Sequence, residues 1–573
     1  MENPLRHPVG RAMRPRGLSR RAFLKGTAAL AAAGLVGVPE RAWRQAWATT
    51  GSTTVSRTIV GTGGTYQRLA WGPGEPYLLR EDLGVVGQPG RELRRVSLLH
   101  FAQLSDTHVL DAQSPARFEY LDPVPINGTY PLSSAFRAQE MLTPFVLDSM
   151  VRQLNLLLTS ELSDAPLAFA INTGDTTDNR QHNELRWLID ILDGGAVDPR
   201  SGGAAYEGVQ KGNTLAYYYH PDHPLVDAYG RLHDFPAYPG LLESGESAFT
   251  AAGLAVPWYA VLGNHDGLVQ GTVPALDVLQ RLATGPIKII AFPFGPEQRA
   301  RFTRDLLRGD PAPWRQLLEW VETHRQGVAV LVTPDERRRL ISHHEWIGEH
   351  FTTRGQPVGH GFTQQNLDSD TGYYTFDPAP GLHCVVLDTV NPTGGADGNL
   401  DQAQFDWLDA DLAANAGTIT LVFAHHTIGT LDNALPRPND PEPPRLGADL
   451  ERLFWAHPDV VAFVNGHTHR NAVIAHPSPD GPGPGFWEIN TAAHIDWPEQ
   501  SRLIEVFDNA DGTLSIFGTM IDHAAAPDEP ALTPAGLASI SRELAYNDPQ
   551  HAPVDGSGEP LDRNVELLIA RAW

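Results

Sequence analysis

The sequence predicts an α/β fold, because short apolar runs typical of buried strands alternate with amphipathic segments at helical spacing. Polar side chains follow five of these runs, at the strand ends where α/β folds bind their ligands. The composition of the 573-residue chain, 41% hydrophobic and 19% charged, is that of a globular protein. These observations exclude disordered, collagen-like and coiled-coil chains.

The predicted elements follow from these patterns. Strands are predicted at 96–104, 167–171, 258–262, 383–387, 418–424 and 460–464. Apolar residues three and four apart predict helices at about 134–159, 402–412 and 450–455. Runs at 501–507 and 513–520 flank Asn-Ala-Asp-Gly, which predicts a hairpin. Further helices are predicted from Thr333, which Pro334 and Glu336 follow as in a capping box, and over 562–571.

Two stretches interrupt the alternation and are interpreted as insertions. Residues 197–255 are rich in Gly, Pro, Tyr and His, and residues 272–370 carry helical patterns of their own. Because polar clusters lie on both sides of each stretch, we expect one domain over 49–573 that contains both insertions.

The first 48 residues look like an export signal. A basic stretch over 1–25 precedes a 13-residue apolar run, and Ala46-Trp47-Ala48 is a small-x-small cleavage site. The segment Ser-Arg-Arg-Ala-Phe-Leu-Lys over 19–25 resembles the twin-arginine signal closely. We therefore expect a bacterial protein exported by the twin-arginine translocase, with no membrane span after cleavage. An uncleaved signal that acts as an anchor stays an alternative.

Charge and cysteine usage limit the classes of partner and site. The formal net charge is −25. Nucleic-acid-binding proteins have an excess of basic residues, which this chain lacks, so no nucleic acid partner is predicted. The single cysteine, Cys384, excludes an intrachain disulfide and a cysteine-based zinc module.

Five polar clusters follow the predicted strands and offer oxygen and imidazole donors. They are Asp106-Thr107-His108, Gly174-Asp175-Thr176-Thr177-Asp178-Asn179, Gly263-Asn264-His265-Asp266, His425-His426 and Gly466-His467-Thr468-His469. Each cluster alone is typical of an ordinary turn. Together, and in this order, they indicate a site for borderline or hard cations such as Mn, Fe and Zn.

With these motifs, the chain resembles the calcineurin-like metallophosphoesterase superfamily over about residues 97–507, apart from the insertions. The resemblance implies a four-layer α/β/β/α sandwich and a centre of two divalent or mixed-valence Mn, Fe or Zn ions. It also implies hydrolysis of a phosphate mono- or diester by a hydroxide that bridges the metals. The purple acid phosphatase branch has a tyrosine just after the Gly-Asp motif, and Thr176-Thr177 stands there in this chain, so that branch is not predicted.

The resemblance assigns a role to each matching residue. One metal would be held by Asp106, His108, Asp175 and His469. The other would share Asp175 and be held by Asn264, His425 and His467. The catalytic pair would be His265, beside the metals, and Asp266, which steadies that histidine.

Some assignments stay open. Either His425 or His426 could be the ligand, and His425 is preferred because the family's ligand usually precedes one variable residue and a turn. Residues expected to support the ligands or to contact substrate are Asp178, Asn179, His426 and His494.

The expected substrate is a small phosphoester. One alternative is a hydrolase of pyrophosphate bonds in a nucleotide-type substrate. The other is a catalytically inactive cell-surface binding protein that kept the fold.

Overall fold

The computed structural model describes residues 52–122, 135–306, 310–438, 440–479, 485–550 and 556–571, and the predicted export signal lies outside them. The strands are β1 (Arg57–Gly61), β2 (Leu69–Pro73), β3 (Leu78–Arg80), β4 (Val96–Leu104), β5 (Ala170–Asn172), β6 (Gly195–Val197), β7 (Phe249–Ala251), β8 (Trp258–Ala260), β9 (Ile287–Ile289), β10 (Ala329–Leu331), β11 (Tyr374–Ala379), β12 (Leu382–Val386), β13 (Ile419–Phe423), β14 (Val460–Asn465), β15 (Ala472–His476), β16 (Phe486–Asn490), β17 (Gln500–Asp508), β18 (Thr513–Asp522) and β19 (Val565–Ala570).

The helices lie between and after these strands. They are α1 (Thr143–Leu156), α2 (His182–Asp193), α3 (Ala228–His233), α4 (Leu241–Gly245), α5 (Asn264–Gly267), α6 (Asp277–Thr284), α7 (Pro296–Leu306), α8 (Ala312–Thr323), α9 (His343–Glu349), α10 (Gln364–Ser369), α11 (Gln402–Ala414), α12 (Gly447–Ala456) and α13 (Pro534–Tyr546).

Two large sheets organise the fold. The seven-stranded sheet has the order β3-β19-β18-β17-β4-β5-β8, and β4, β5 and β8 are parallel. The six-stranded sheet has the order β11-β12-β13-β14-β16-β15, and β12, β13, β14 and β16 are parallel. Because parallel strands end at the same edge, each sheet gathers the residues that follow its parallel strands.

The two sheets pack face to face between two layers of helices. The ring centroid of Phe101 in β4 lies 5.7 Å from that of Phe423 in β13. Phe169, just before β5, lies 5.3 Å from Phe376 in β11. Helices α1 and α2 pack on the seven-stranded sheet, and α11 and α12 pack on the other. The predicted four-layer α/β/β/α sandwich is confirmed.

Three predicted helices differ in the structure. The helix expected over 134–159 begins only at Thr143, with Pro144 in its first turn, where a missing N–H costs nothing. No helix begins at Thr333, because the Thr333 hydroxyl donates to Glu207 and the next cap belongs to Asp335, before a 3-10 turn.

The third of these helices, predicted over 562–571, is strand β19, which pairs with β18 and β3. A short apolar run such as Val-Glu-Leu-Leu-Ile fits a buried strand as well as a helix, and pairing on both sides decides between them.

The two predicted insertions both pack on the residues that follow β4. The Tyr218 ring lies 4.9 Å from that of Phe136, within one apolar cluster. The Trp314 ring lies 5.0 Å from that of Phe118, within another. Residues 111–122 and 135–142 therefore pack against both predicted insertions. Across the described ranges, we find no helix with the length and apolar character needed to cross a membrane.

Candidate metal centre

The five polar clusters meet at one edge of the sandwich. Asp106 and His108 follow β4, Asp175 follows β5, and Asn264 follows β8. From the other sheet, His425 follows β13, and His467 and His469 follow β14. The main-chain N–H of His467 donates to the Asp106 carboxylate at 3.0 Å, which joins the two sheets directly at the site.

The turns that carry these residues have unusual backbone angles. The φ angles of Asp106, His108, Asp175, His467 and His469 are 49°, 40°, 49°, 72° and 54°. A non-glycine residue in this left-handed region costs on the order of 1–3 kcal/mol. Asp and His tolerate the region better than branched residues do, and such strain clusters at functional sites.

Two glycines leave room for the carboxylates. A Cβ at Gly263 would lie 2.2 Å from Asp175 Oδ1, and one at Gly466 would lie 2.4 Å from Asp106 Oδ2. Neither glycine has a positive φ. Glycine is therefore required here because the carboxylate lies close to the glycine backbone, and not because of the turn geometry.

The first group of ligand atoms belongs to Asp106, His108, Asp175 and His469, and these atoms all lie within 4.8 Å of one another. His469 Nε2 lies 3.4 Å from Asp106 Oδ1, and His108 Nε2 lies 3.7 Å from Asp175 Oδ2. The sequence-predicted set for one metal is thus brought together completely.

The second group is formed by Asp175, Asn264, His425 and His467. His425 Nε2 lies 3.2 Å from Asp175 Oδ2 and 2.8 Å from Asn264 Oδ1. His467 Nδ1 lies 3.1 Å from the same Asn264 oxygen. Asp175 Oδ2 faces both groups, as a ligand shared by two ions would.

The hydrogen bonds distinguish His425 from His426. Ligand atoms of both lie within 4.8 Å of His467. His425 Nδ1 donates to the main-chain oxygen of Thr173 at 2.9 Å, which leaves the Nε2 lone pair directed at the centre. His426 donates from Nε2 to Ala396 O at 2.9 Å and accepts from the Thr389 hydroxyl at 2.7 Å. Both of its nitrogens are therefore used within the protein, which favours His425 as the ligand.

Within the first group, two imidazole lone pairs face each other. His108 Nε2 lies 3.1 Å from His469 Nε2, while each Nδ1 donates to a carboxylate, of Asp178 at 3.0 Å and of Asp496 at 2.5 Å. Two neutral rings in these tautomers would repel, so a proton or a metal ion must lie between them. Imidazoles fixed by carboxylates in this way are typical of metal ligands. The donor set therefore fits two cations.

The electrostatics of the site also favour positive charge. Burial lowers the pKa of His469, but the Asp106 and Asp496 carboxylates raise it to about 10. Burial raises the pKa of Asp106, but hydrogen bonding to His469 and the charge of His425 lower it to about 2. The buried carboxylates thus stay ionised and attract cations.

His265 lies beside the first group, with its ring centroid 4.6 Å from that of His108. It is on the open side of the site, where the side chains of His467 and His469 are also partly exposed. Its Nδ1 donates to the main-chain oxygen of Asp178 at 2.7 Å, and its side chain is 20% exposed. Burial lowers its pKa, but the Asp175 and Asp178 carboxylates raise it above the usual value. Its Nε2 makes no hydrogen bond within the described residues, and is thus placed to meet a substrate.

The Asp266 carboxylate stabilises two turns and does not have the expected role of steadying His265. Its carboxylate accepts from Gly263 N at 2.9 Å and, at 2.5–3.1 Å, from main-chain and hydroxyl donors of Thr176 and Thr177. The residue that steadies His265 is Asp178, which also supports His108. Asp178 thus has the supporting place expected from the sequence, whereas Asp266 makes its contacts one step further from the ligands.

Two other candidates lie away from the open side. The Asn179 N–H donates to Glu184 and its Oδ1 accepts from Gln270 N, so it fixes loops. His494 is fully buried, donates its main-chain N–H to Asp106 O and pairs with Ser501 Oγ at 2.8 Å. Burial lowers its pKa to about 3. Neither placement supports contact with a substrate.

One residue of the site was missed by the sequence motifs. Asp496 binds His469 Nδ1, although it belongs to none of the five clusters. Its only signal is its position: it follows β16, a strand parallel to β14, so it reaches the same edge as His467 and His469. An acidic residue after any strand of that parallel set is a candidate on this ground.

No family model matches the chain, and no curated protein matches it. A dimetal phosphatase from Danio rerio is similar in structure, with 13% identity over 75% of this chain and 100% of that chain, at a TM-score of 0.32. A purple acid phosphatase from yellow lupin (Lupinus luteus) seeds is similar with 10% identity over 79% of this chain and 56% of that chain, at a TM-score of 0.25. Similarities of this size assign neither a fold nor an activity.

Proposed function

We propose that the protein is a metal-dependent phosphoesterase that hydrolyses a phosphate mono- or diester. The observation that supports this most is the meeting of two ligand groups at Asp175 Oδ2. Potential metal-binding atoms from five strand ends in two sheets are oriented toward one another.

In this proposal the first group holds one ion of Mn, Fe or Zn, and the second group holds another. Bound ions would neutralise charge on the phosphate and lower the pKa of a bound water. The chain's own residues set the positions of the ligand carboxylates. Asp175 accepts from the main-chain N–H of His265 at 2.8 Å, and Asp106 accepts from the main-chain N–H of His467 at 3.0 Å.

His265 is proposed to donate a proton to the leaving group. Its Nδ1 proton is held by the Asp178 carbonyl, so the ring presents Nε2 on the open side, and the imidazolium form carries on Nε2 the proton that would be donated. Burial lowers the pKa of His265, but the Asp175 and Asp178 carboxylates raise it above the usual value, which favours this form. This orientation lets one imidazole contact substrate without serving as a ligand.

The experiment measures metal content and hydrolysis together. The purified protein is equilibrated with Mn, Fe and Zn, and then assayed on p-nitrophenyl phosphate, bis(p-nitrophenyl) phosphate and a nucleotide sugar. About two metals per chain with ester hydrolysis, both reduced in Asp175→Asn, are expected. Cleavage of the nucleotide sugar alone would favour a pyrophosphate-bond hydrolase. Metal without hydrolysis would favour a binding protein, and no metal would contradict the proposal.

We further propose export through the twin-arginine pathway, on the basis of the Arg20-Arg21 motif and the apolar run that follows it. The test fuses residues 1–60 to a reporter that works only outside the cytoplasm. Replacing both Arg20 and Arg21 by Lys keeps the charge and should abolish export. Unchanged export in this variant would contradict the proposal.

A further inference from the structure

We propose that Arg117 and Arg137 are positioning residues for the first group of metal ligands, and that they act on this group and not on the second. This proposal rests on the two-metal function proposed above. Both arginines lie in the segment after β4, which comprises residues 111–122 and 135–142. We call them the bracing arginines. Their side chains are 1% and 2% exposed.

Arg117 supports His108 through Asp178. Its guanidinium donates to Asp178 Oδ2, and Asp178 Oδ1 accepts from His108 Nδ1 at 3.0 Å. The same guanidinium donates to Glu119 at 3.2 Å and to Glu140 at 2.8 Å. A guanidinium bound by three buried carboxylates is held in one place, and it fixes the Asp178 carboxylate with it.

Arg137 supports His469 through Asp496 in the same way. Its Nε and Nη2 donate to the two oxygens of Asp496 at 2.5 and 2.8 Å. The second of these oxygens accepts from His469 Nδ1 at 2.5 Å. A paired contact of this kind fixes both the position and the plane of the carboxylate.

One carboxylate links the two bracing arginines. Glu140 Oε2 accepts from Arg117 Nη2 at 2.8 Å and from the main-chain N–H of Arg137 at 3.2 Å. Lys288, from the predicted insertion at 272–370, donates to Glu119 at 2.8 Å and so anchors the Arg117 end of the network. The two imidazoles that face each other at 3.1 Å are thus supported by one continuous buried network.

The second group is oriented by different means. His425 Nδ1 donates to the main-chain oxygen of Thr173, and Asn264 Nδ2 donates to the main-chain oxygen of Gly271. Neither contact involves the bracing arginines. Thr173 follows β5, and Gly271 lies in the turn after α5. Main-chain carbonyls such as these stay in place when a distant side chain is changed, so the two groups should respond differently to loss of an arginine.

Removal of a bracing arginine should therefore weaken one site. The buried carboxylate would lose its counter-charge, and would take up a proton or turn away from the imidazole. The loss of such a supporting partner typically costs 10–100-fold in metal affinity. We expect a loss of about that size at the first group, and little change at the second.

The experiment titrates the full-length protein and its variants with Mn²⁺ in a metal-buffered solution and measures bound metal per chain by elemental analysis. Arg117→Met and Arg137→Met should each bind one Mn²⁺ with the parent's affinity and the other about 10–100-fold more weakly. The control is Arg563→Met, because Arg563 forms a similar paired contact with Glu75, at 2.7 Å for both bonds, without touching a ligand group. This control should bind two Mn²⁺ as the parent does.

A second variant separates positioning from folding. Arg137→Met with Asp496→Asn leaves no unpaired buried charge, so it should keep the parent's circular dichroism and cooperative unfolding. It should still lose affinity for one of the two metals.

Two results would overturn the proposal: parental affinity at both sites in these variants, or equal loss at both sites in a folded variant. Fewer than two metals in the parent protein would instead contradict the proposed function, so the two failures are distinguishable.

Discussion

Asn264 Oδ1 lies 2.8 Å from His425 Nε2, although neither atom has a hydrogen to give the other while the ring is neutral. The amide nitrogen of Asn264 is used by Gly271 O, and the other ring nitrogen of His425 is used by Thr173 O. Two such acceptors repel each other while the ring is neutral. Burial lowers the pKa of His425, but the Asp175 carboxylate raises it to about 9, so a proton relieves this repulsion unless a metal cation takes its place.

Metal removal should therefore destabilise the fold. Chelation is expected to lower the free energy of unfolding by about 2.7 kcal/mol for each bound ion, relative to protein in metal at 100 times its Kd. Thermal unfolding with and without chelator measures this difference. In Asp175→Asn the difference should shrink, and equal stability of the parent with and without metal would contradict the assignment.

Gly263→Ala should disrupt the proposed metal centre although it replaces none of the ligand residues. The new Cβ would lie 2.1 Å from the Asp175 main-chain N and 2.2 Å from its Oδ1, so the shared carboxylate must move. We expect metal affinity to fall at least about tenfold, as for other displaced ligand supports. The control is Gly295→Ala, where nothing lies within 4 Å of the added Cβ. Equal metal binding by both variants would show that the turn adapts.

His425→Ala and His426→Ala should differ in metal content. The first removes a lone pair directed at the second group, and bound metal should fall from about two to about one per chain. The second removes hydrogen bonds to Thr389 and Ala396, and about two metals should remain. Elemental analysis of both variants decides the matter, and the reverse outcome would make His426 the ligand.

His265→Ala should keep both metals and lose turnover. Loss of a proton donor typically costs roughly 10²- to 10⁴-fold in rate. The loss should be greatest for phosphoesters with poor leaving groups, which need the proton most, and least for p-nitrophenyl esters. An equal loss on every ester would show that His265 positions the substrate rather than protonating the leaving group.

Glu499 should make the fold less stable as pH rises. Burial raises its pKa to about 8, and its partners are the Ser541 hydroxyl at 2.7 Å and His523 Nε2 at 3.1 Å. Between the pKa of the unfolded chain and about 8, the folded state holds the proton that the unfolded state has released. Stability contributed by this proton is therefore present at low pH and is lost as pH rises, by up to about 1.4 kcal/mol per pH unit.

Glu499→Gln carries no such proton and should have a flatter profile. Denaturant unfolding at pH 5, 6, 7 and 8 compares the two proteins, and the difference between them isolates this one side chain from other buried carboxyls. Parallel profiles would mean that Glu499 is ionised in the folded protein.

Local patterns predicted the alternation of strands and helices and the polar clusters, and the resemblance to a known superfamily implied the four layers. Apolar runs and the polar residues after them are visible in order along the chain, and the parallel arrangement brings their ends together. Sequence reasoning failed where contacts between distant parts of the chain determine the local structure. The run Val565–Ala570 becomes a strand only because β18 and β3 are there to pair with it.

Asp178 was predicted as a support of the site, but the pairing of Asp496 with Arg137 was beyond sequence reasoning for a different reason. Asp496 and Arg137 lie 359 positions apart, and no spacing rule connects them. Buried arginine carboxylate pairs also look like surface charges in a sequence, since arginine is usually exposed. Only the fold shows that these charges lie behind the ligands.

The junction of the two sheets also fixes the order of events in biosynthesis. His467 joins Asp106 across 361 positions, and both groups need ligands from β14 or the residues after it. A nascent chain still short of His467 already carries Asp106, His108 and Asp175 but cannot complete either group. In the proposed centre, metal loading would therefore follow translation at least as far as His467, and a complete centre would require both sheets of the sandwich to have assembled.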